Sequence, residues 1–277
     1  MTQTLAVARY TLLEISRRRL LLVVIAVGLL LMAAIAITPY VLPGNSAPTD
    51  KLIVSLSGLH EIVPTALLLC ALAIGMTVIN HDLDSGAVVS IFAKPVSRES
   101  YTGGKLIAAI SLVLLIAVIF GAGSMMVIAI DGGQAFGVVF WESAALAANA
   151  LLLMLLVMAL TVYVNNVIAG AIVLAFNFAA GRVLDLHAMV VNGVITDHTF
   201  AAIANAVYWI VPHELTSNLQ RTLVHMRLDM RELVVFGRAD PFKDIPGASN
   251  TADIAFWLAY VVAICLLLFW SVRRKQV

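Results

Sequence analysis

The sequence predicts an all-α, polytopic integral membrane protein with six transmembrane helices. Three observations indicate this fold class. The chain of 277 residues is 62% hydrophobic and only 12% charged, and its mean hydropathy is +1.01, which sets it apart from soluble domains. Six apolar stretches are each long enough to cross a bilayer. Lysine and arginine collect in the connections that alternate crossings would place on one side.

The six predicted spans follow from length. A hydrocarbon core about 30 Å thick needs about 20 apolar residues at a rise of about 1.5 Å per residue. The spans therefore cover about residues 20–42, 59–79, 106–130, 138–164, 167–184 and 254–272 of a single membrane domain, 1–277. Turn residues at 43–45, 131–133 and 165–166 predict tight reversals between antiparallel neighbours. The first apolar run is too long for the core of a signal peptide, so we interpret it as a retained span.

Basic residues set the predicted orientation. If the N-terminus is cytoplasmic, the short outer loops contain only Lys51, and the inner segments hold the remaining cations near the spans: Arg9, Arg17, Arg18, Arg19, Lys94, Arg98, Lys105, Arg273, Arg274 and Lys275. The positive-inside rule then places both termini in the cytoplasm. The segment 185–252 is longer than the roughly 60 residues within which that rule applies, and we expect it to lie outside.

Residues 3–18 predict a short helix ahead of the first span. Leu5, Ala8, Leu12 and Ile15 recur at helical spacing, and Arg17, Arg18 and Arg19 follow as a cluster that lipid headgroups can bind. We expect this helix to lie in the cytoplasmic interface. A helical extension of the first span is the alternative.

Two asparagines are predicted to lie deep inside the spans. Asn149 and Asn177 must either hydrogen-bond to other helices or line a hydrated cavity, and ordinary helix-to-helix bonding is the simpler interpretation. Ala144 and Ala148 form a row of small residues in the fourth span, which suits close helix packing or a dimer seam. The deepest acids, Glu61 and Glu142, are placed near span ends, where interfacial water can solvate them.

The outer segment, 185–252, predicts one or two amphipathic helices on the outer surface of the bundle. Tyr208 and Trp209 favour a membrane interface, and Leu215, Leu219 and Leu223 follow at helical spacing. The histidines and acids of this segment do not have the spacing of a metal site, so we predict none.

The polar segment between the second and third spans, 82–105, ends in Gly104-Lys105 but is not a phosphate-binding loop. A Walker A motif requires a glycine five positions before that Gly-Lys pair and a hydroxyl residue after it, whereas this chain has Glu99 and Leu106. The spacing instead predicts two short helices separated at Pro95, with Ser97 capping the second. An exposed apolar pair beside basic residues would suit docking of a partner. Packing beneath its own bundle is the alternative.

The stretch DSGAVVSIFAKPVSRESYTGGK, residues 84–105, resembles the cytoplasmic loop of ABC-2 type transporter permeases. Six spans, cytoplasmic termini and a long outer segment before the last span are also similar to that family. The chain departs from its pattern at Ala87, where threonine is common, and at Asp84, where glutamate is common. The resemblance covers the architecture of the whole chain, and its motif covers this stretch alone.

The resemblance implies a permease subunit of an ABC transporter, most simply an exporter, in the cytoplasmic (inner) membrane. Its partners would be an ABC ATPase subunit, a second permease copy or paralogue, and membrane lipids, without nucleic acid. ATP and Mg²⁺ would bind to the ATPase, and this chain would bind no cofactor and catalyse no reaction. The implied ATPase-docking residues are Asp84, Ser85, Gly86, Phe92, Lys94, Pro95, Val96, Ser97, Arg98, Tyr101 and Lys105.

Other functions stay open at the level of sequence. One is an ATPase-driven complex that acts mechanically on another membrane protein without transport. A membrane-embedded enzyme or a channel is disfavoured, because the spans contain neither paired catalytic groups nor a continuous polar face. An adjacent ABC ATPase gene would favour a transporter or a mechanical complex over an enzyme or a channel. The sequence does not identify the cargo, although the apolar walls favour a lipophilic or amphipathic compound.

Overall fold

The computed structural model describes residues 3–16, 19–41, 48–79, 97–132, 135–228 and 245–274. These ranges contain nine α-helices: α1 Gln3–Ser16, α2 Arg19–Val41, α3 Pro48–Val78, α4 Arg98–Ile130, α5 Phe136–Thr161, α6 Asn166–Val191, α7 His198–Ile210, α8 Leu219–Leu228 and α9 Thr251–Arg274. Six of them, α2 to α6 and α9, are long and apolar enough to cross a membrane. The predicted all-α class with six spans is therefore confirmed.

Several helices extend beyond the apolar stretches that identified them. α3 begins at Pro48 instead of about 59, α4 at Arg98 instead of about 106, and α6 ends at Val191 instead of about 184. An apolar stretch shows only the part of a helix that can lie in the hydrocarbon core of the bilayer. The helix itself can continue into polar residues until its terminal backbone groups find other partners. At the end of α6, Gly193 has a φ of +72°, and the Val194 N–H donates to the Met189 carbonyl at 2.9 Å. This C-cap turn, in the left-handed region that glycine adopts readily, ends the helix.

The two ends of the bundle can be named by the short helices they carry. At the α1 end, the first turns of α4 contact α1, and the Tyr163 hydroxyl after α5 hydrogen-bonds to Ser271 near the end of α9 at 2.5 Å. At the α8 end, the Tyr40 hydroxyl of α2 donates to the Asp131 carboxylate just after α4 at 3.1 Å. The antiparallel succession of spans produces this arrangement. The sidedness predicted from the basic residues would make the α1 end cytoplasmic.

The core lies where α3, α4 and α5 pack together. Phe120 of α4 and Met154 of α5 are fully buried. The backbones of α3 and α5 approach closely at Gly75, which has no side chain. A Cβ atom at this position would lie only 2.8 Å from the Met154 carbonyl oxygen. The helices α2 and α9 bury the smallest share of their apolar windows, so most of their surface is available to lipid.

The helix α1 packs on the start of α4 with most of the predicted apolar face, apart from Leu5. Ala8, Thr11 and Ile15 are buried, whereas Leu5 is exposed. A Cβ atom on Gly104 would lie 2.6 Å from Val7 Cβ, so the two helices touch at this glycine. Arg17 and Arg18 lie outside the described residues, and Arg19 is exposed at the start of α2.

The segment between α6 and α9 contains two helices, α7 and α8, and differs from the prediction at Leu215. Leu215 was expected to continue the helical stripe of Leu219 and Leu223, but it lies in the non-helical segment 211–218, before α8 begins. Leu219 and Leu223 belong to the main hydrophobic core, where α8 contacts α3 and α5. The structure therefore places Leu219 and Leu223 of the predicted stripe on one helix, α8, with both side chains packed against the bundle. Leu215 alone does not belong to that helix.

Candidate functional site

The segment predicted to contact the ATPase, 82–105, is described only from Ser97 onward. The earlier predicted residues lie outside the described residues: Asp84, Ser85, Gly86, Phe92, Lys94, Pro95 and Val96. Ser97 caps α4 as expected, because its Oγ accepts a hydrogen bond from the Ser100 N–H at 3.1 Å. This cap fixes the point at which the segment becomes the third span.

Arg98 connects the start of α4 to the end of α9. Its guanidinium Nη1 donates to the Arg273 carbonyl oxygen at 3.2 Å. A cation at the C-terminus of a helix offsets the partial negative charge of the exposed carbonyls there. The third and sixth spans are thereby joined at the α1 end.

Tyr101 and Lys105 lie deeper than a docking surface would require. They are only 2% and 4% exposed, with the Lys105 Nζ 5.7 Å from the centroid of the Tyr101 ring. Both lie on the part of α4 that contacts α1. Sequence reasoning assigned them to the docking element, whereas in the structure both side chains are buried at the start of α4.

A polar cavity of about 390 Å³ brings the two predicted intramembrane asparagines together. Asn149 of α5 and Asn177 of α6 both line it, beside the segment 211–218. The Asn149 amide makes two hydrogen bonds with the backbone of Leu215. Its Nδ2 donates to the Leu215 carbonyl at 2.9 Å, and its Oδ1 accepts from the Leu215 N–H at 2.8 Å. Asn149 thus both bonds within the bundle and faces the cavity.

Acidic groups surround the same cavity. Glu142 accepts a hydrogen bond from the Ser217 hydroxyl at 2.6 Å, and its other oxygen lies 3.5 Å from His60 Nδ1. The pKa of Glu214 is raised, first by burial and then by the nearby charges of Glu142 and Asp185. Glu142 lies near the start of its span, as expected, and tertiary packing also places it against segment 211–218.

A larger apolar cavity of about 700 Å³ adjoins the polar one. Ala144 and Ala148 line it, flanked by Trp141 and Trp257. The small-residue row predicted for close helix packing therefore faces open space within this chain. Residues 215–217 line both cavities, and we refer to these three residues as the partition.

The partition is held from two directions. Asn149 and Glu142 of α5 bind it on one side. From the other direction, Thr216 Oγ1 donates to the Gly247 carbonyl at 2.6 Å, and the Thr216 N–H donates to the Ser249 hydroxyl at 2.9 Å. A short non-helical stretch at bundle depth has its backbone groups satisfied in this way, as a low-dielectric setting requires.

A comparison with protein families matches residues 6–277 to the model described as ABC-2 family transporter protein. The chain belongs to this family. No curated protein matches the sequence. An ABC-2 family transporter protein is a transmembrane component of an ABC transporter and associates with an ABC ATPase subunit. The chain is accordingly a multi-pass membrane protein whose role is transport.

Glu142, Asp185 and Glu214 of this ABC-2 family protein line the polar cavity but were not predicted as site residues. The spacing of the first two from the predicted asparagines contained a signal. Glu142 and Asn149 lie seven positions apart on one face of α5, and Asn177 and Asp185 lie eight apart on one face of α6. Polar residues repeated at helical spacing in two spans predict a shared polar surface. No sequence spacing predicted that Glu214 lines the cavity, because its position depends on the path of segment 211–218.

Trp209, the predicted interfacial residue, lies on α7 beside a group of aromatic rings. It is 42% exposed and packs edge-on against Tyr208 and Phe256, with centroid distances of 5.2 and 5.3 Å. The Tyr208 hydroxyl donates to the Asp253 carboxylate of α9 at 2.8 Å. This contact connects α7 to the start of the last span.

Proposed function

We propose that the chain is the permease subunit of an ABC-2 type exporter in the cytoplasmic (inner) membrane. The observation that carries the proposal is the family match across residues 6–277. Both termini would be cytoplasmic, and a second copy or a paralogue would complete the membrane part. ATP and Mg²⁺ would bind to separate ATPase subunits docked on segment 82–105, and this chain would bind no cofactor itself.

The base of the proposed docking segment is well placed to transmit force. The helix α4 begins at Arg98 and has 33 residues, which corresponds to a length of about 50 Å. Its first turns are fastened to α1 at Gly104 and to α9 through Arg98. Closure of the ATPases would therefore displace three helices together. Because α4 also packs against α5, the displacement can reach the partition that Asn149 holds.

The two cavities suggest the class of cargo and the moving part. One is lined mostly by alanine, tryptophan and other apolar groups, and its neighbour by asparagine and carboxylates. Together they fit an amphipathic compound better than a fully polar one. In this proposal, alternating access requires the partition to move relative to α5, which would open one cavity to the other.

The docking role is tested by reversing the charge of Arg98. We expect Arg98→Glu to weaken binding of the partner ATPase by roughly 30-fold, the effect of losing about 2 kcal/mol at an interface. Arg98→Gln, which keeps a donor for the Arg273 carbonyl, separates docking from the contact between α4 and α9. Lys51→Glu is the matched control, because Lys51 lies in the first turn of α3, at the end of the bundle opposite to Arg98.

The measurement is co-purification with the ABC ATPase, sought first among genes adjacent to this one, followed by ATPase activity in proteoliposomes. Undiminished ATPase yield and turnover with Arg98→Glu would contradict the docking assignment. The cargo is tested by ATPase stimulation across a panel of amphipathic compounds, lipids and cations. A flat response to all of them, with the complex intact, would favour a mechanical role without transport.

A further inference from the structure

A stack of rings lies where α6, α7, α9 and segment 211–218 meet, separate from both cavities. His187, Tyr208, His213 and Phe256 are arranged in succession with nearly parallel planes. Neighbouring centroids are 3.7, 3.9 and 5.2 Å apart. Nothing in the proposed transport cycle uses this group. It contains a buried histidine, His213, in contact with α7 and α9.

The hydrogen bonding of His213 fixes which ring nitrogen carries a hydrogen. Its Nδ1 lies 3.1 Å from the Tyr208 carbonyl oxygen, and since a carbonyl only accepts, Nδ1 must carry a hydrogen. In the neutral ring, Nε2 then presents a lone pair. The side chain is 1% exposed, and Nε2 has no hydrogen-bond partner in the described part of the chain. One buried nitrogen is therefore free to take up a proton.

A carboxylate lies beside that nitrogen. Asp253 Oδ1 is 3.7 Å from His213 Nε2. The same oxygen accepts from the Tyr208 hydroxyl, and Oδ2 accepts from the Asn250 N–H at 2.8 Å. These bonds fix the carboxylate at the first turn of α9. A proton added to Nε2 would meet a charged acceptor whose position is already set.

The groups around His213 act in opposite directions on its protonation. Burial lowers the pKa of His213 most strongly. The Tyr208 backbone, the Asp253 carboxylate and the Val211 backbone raise it, and His187 from α6 lowers it. Glu214 is adjacent in the chain but lines the polar cavity. Because burial prevails, the neutral ring is preferred near neutral pH, and protonation favours an arrangement in which the imidazole reaches water.

We propose that His213 is a proton-binding site whose protonation loosens the seating of segment 211–218 against α7 and α9. The neutral imidazole stacks between Tyr208 and Phe256, and the segment then stays in place. As pH falls below the ordinary histidine pKa of about 6.5, His213 can stay packed only as a buried imidazolium or as a ring that gives up a proton. Either alternative raises the free energy of the packed arrangement relative to one in which the ring reaches water. Acid on the α8 side would therefore release the segment.

Any effect of His213 protonation on transport rests on the proposed function. Proton binding by His213 does not depend on that function. Segment 211–218 contains the partition between the cavities, so its release would change access between them. The proton site itself is tested on the full-length purified protein without nucleotide or ATPase. A failed transport assay and a failed proton-binding assay are therefore separate results.

Trp209 provides a local reporter. Its ring centroid is 6.1 Å from that of His213, and a nearby imidazolium quenches indole fluorescence more strongly than neutral imidazole does. As pH falls from about 8 to about 4.5 we expect a fluorescence decrease and a loss of hydrogen-exchange protection in peptides spanning 211–218. Protection is taken relative to the intrinsic exchange rate at each pH, and both changes should have a midpoint below about 6.5. Trp209→Phe should remove the fluorescence change and leave the exchange change.

Two substitutions and one control decide the assignment. His213→Asn keeps a donor near the Tyr208 carbonyl but does not titrate, so both transitions should disappear. Asp253→Asn removes the carboxylate charge that favours the imidazolium, so the midpoint should move to lower pH. His198→Asn changes an exposed histidine at the start of α7 and should leave the midpoint unchanged.

A wild-type protein without either transition overturns the proposal, as does a transition that survives in His213→Asn. If His213→Asn does not unfold cooperatively on heating, Asp253→Asn takes its place. An unchanged midpoint in Asp253→Asn would then overturn the proposal.

Discussion

Asn149 allows the sharpest test of how the segment at the α8 end is held. Its amide exchanges two hydrogen bonds with Leu215, at 2.9 and 2.8 Å, and its side chain lies where α5 faces the polar cavity. Asn149→Leu keeps a similar branched shape but removes both bonds. The N–H and carbonyl of Leu215 would then lack partners at the depth of the membrane.

The expected cost can be bounded from two directions. Intramembrane hydrogen bonds measured in another protein average about 0.6 kcal/mol, which sets a lower value of about 1 kcal/mol for the pair. Unpaired buried groups cost about 1–3 kcal/mol each, but the adjacent cavity can supply water to Leu215. We therefore expect about 1–3 kcal/mol in local stability, or roughly 5- to 150-fold faster amide exchange.

Hydrogen exchange read by mass spectrometry on peptides spanning 211–218 measures this change directly. Asn177→Leu is the matched control, because Asn177 lines the same cavity but forms no hydrogen bond within the described residues. Exchange in the segment should accelerate in Asn149→Leu alone. Unchanged exchange protection in Asn149→Leu, or an equal loss of protection in both variants, would refute the conclusion that Asn149 holds segment 211–218 in place.

Three further substitutions test other parts of the structure. Gly104→Ala would bring a Cβ atom within 2.6 Å of Val7 Cβ, so we expect thermal unfolding to report a loss of about 1–3 kcal/mol. Gly137→Ala, with nothing within 4 Å, should be neutral or stabilising, and equal losses in both would contradict the contact with α1. Ser97→Ala should cost about 1 kcal/mol at the start of α4, seen as faster exchange there and nowhere else. The pKa of Glu214 is raised, so its ionisation costs stability as pH rises through the folded-state value, and Glu214→Gln should stabilise the protein at about pH 7.5. That gain should vanish below the usual glutamate pKa of about 4.3, and a gain that grows toward acid would contradict the sign.

Local sequence rules succeeded where one segment contains all the necessary information. The cap at Ser97 is an example, because a serine hydroxyl three positions before an available N–H is sufficient for the contact. The deep placement of Asn149 and Asn177 follows equally from their positions within apolar runs. What each asparagine does could not be predicted, since the Leu215 backbone lies 66 positions from Asn149.

Lys105 shows the opposite case. In the sequence it ends a polar segment and counts as a basic residue of an inner loop. In the structure it is 4% exposed, because α1, about a hundred positions earlier, packs against the start of α4. No local pattern around Lys105 contains that contact. The same limitation applies to Tyr208 and Asp253, which are separated by 45 positions.

The sequence by itself determined that this is a six-span membrane protein of the ABC-2 type. A bilayer of fixed thickness converts apolar length directly into span number, and the family pattern lies in contiguous residues. Tertiary structure alone decided that segment 211–218 enters the bundle, divides an apolar cavity from a polar one, and buries His213 beside Asp253. These features depend on contacts between residues far apart in the chain, which hydropathy and spacing do not specify.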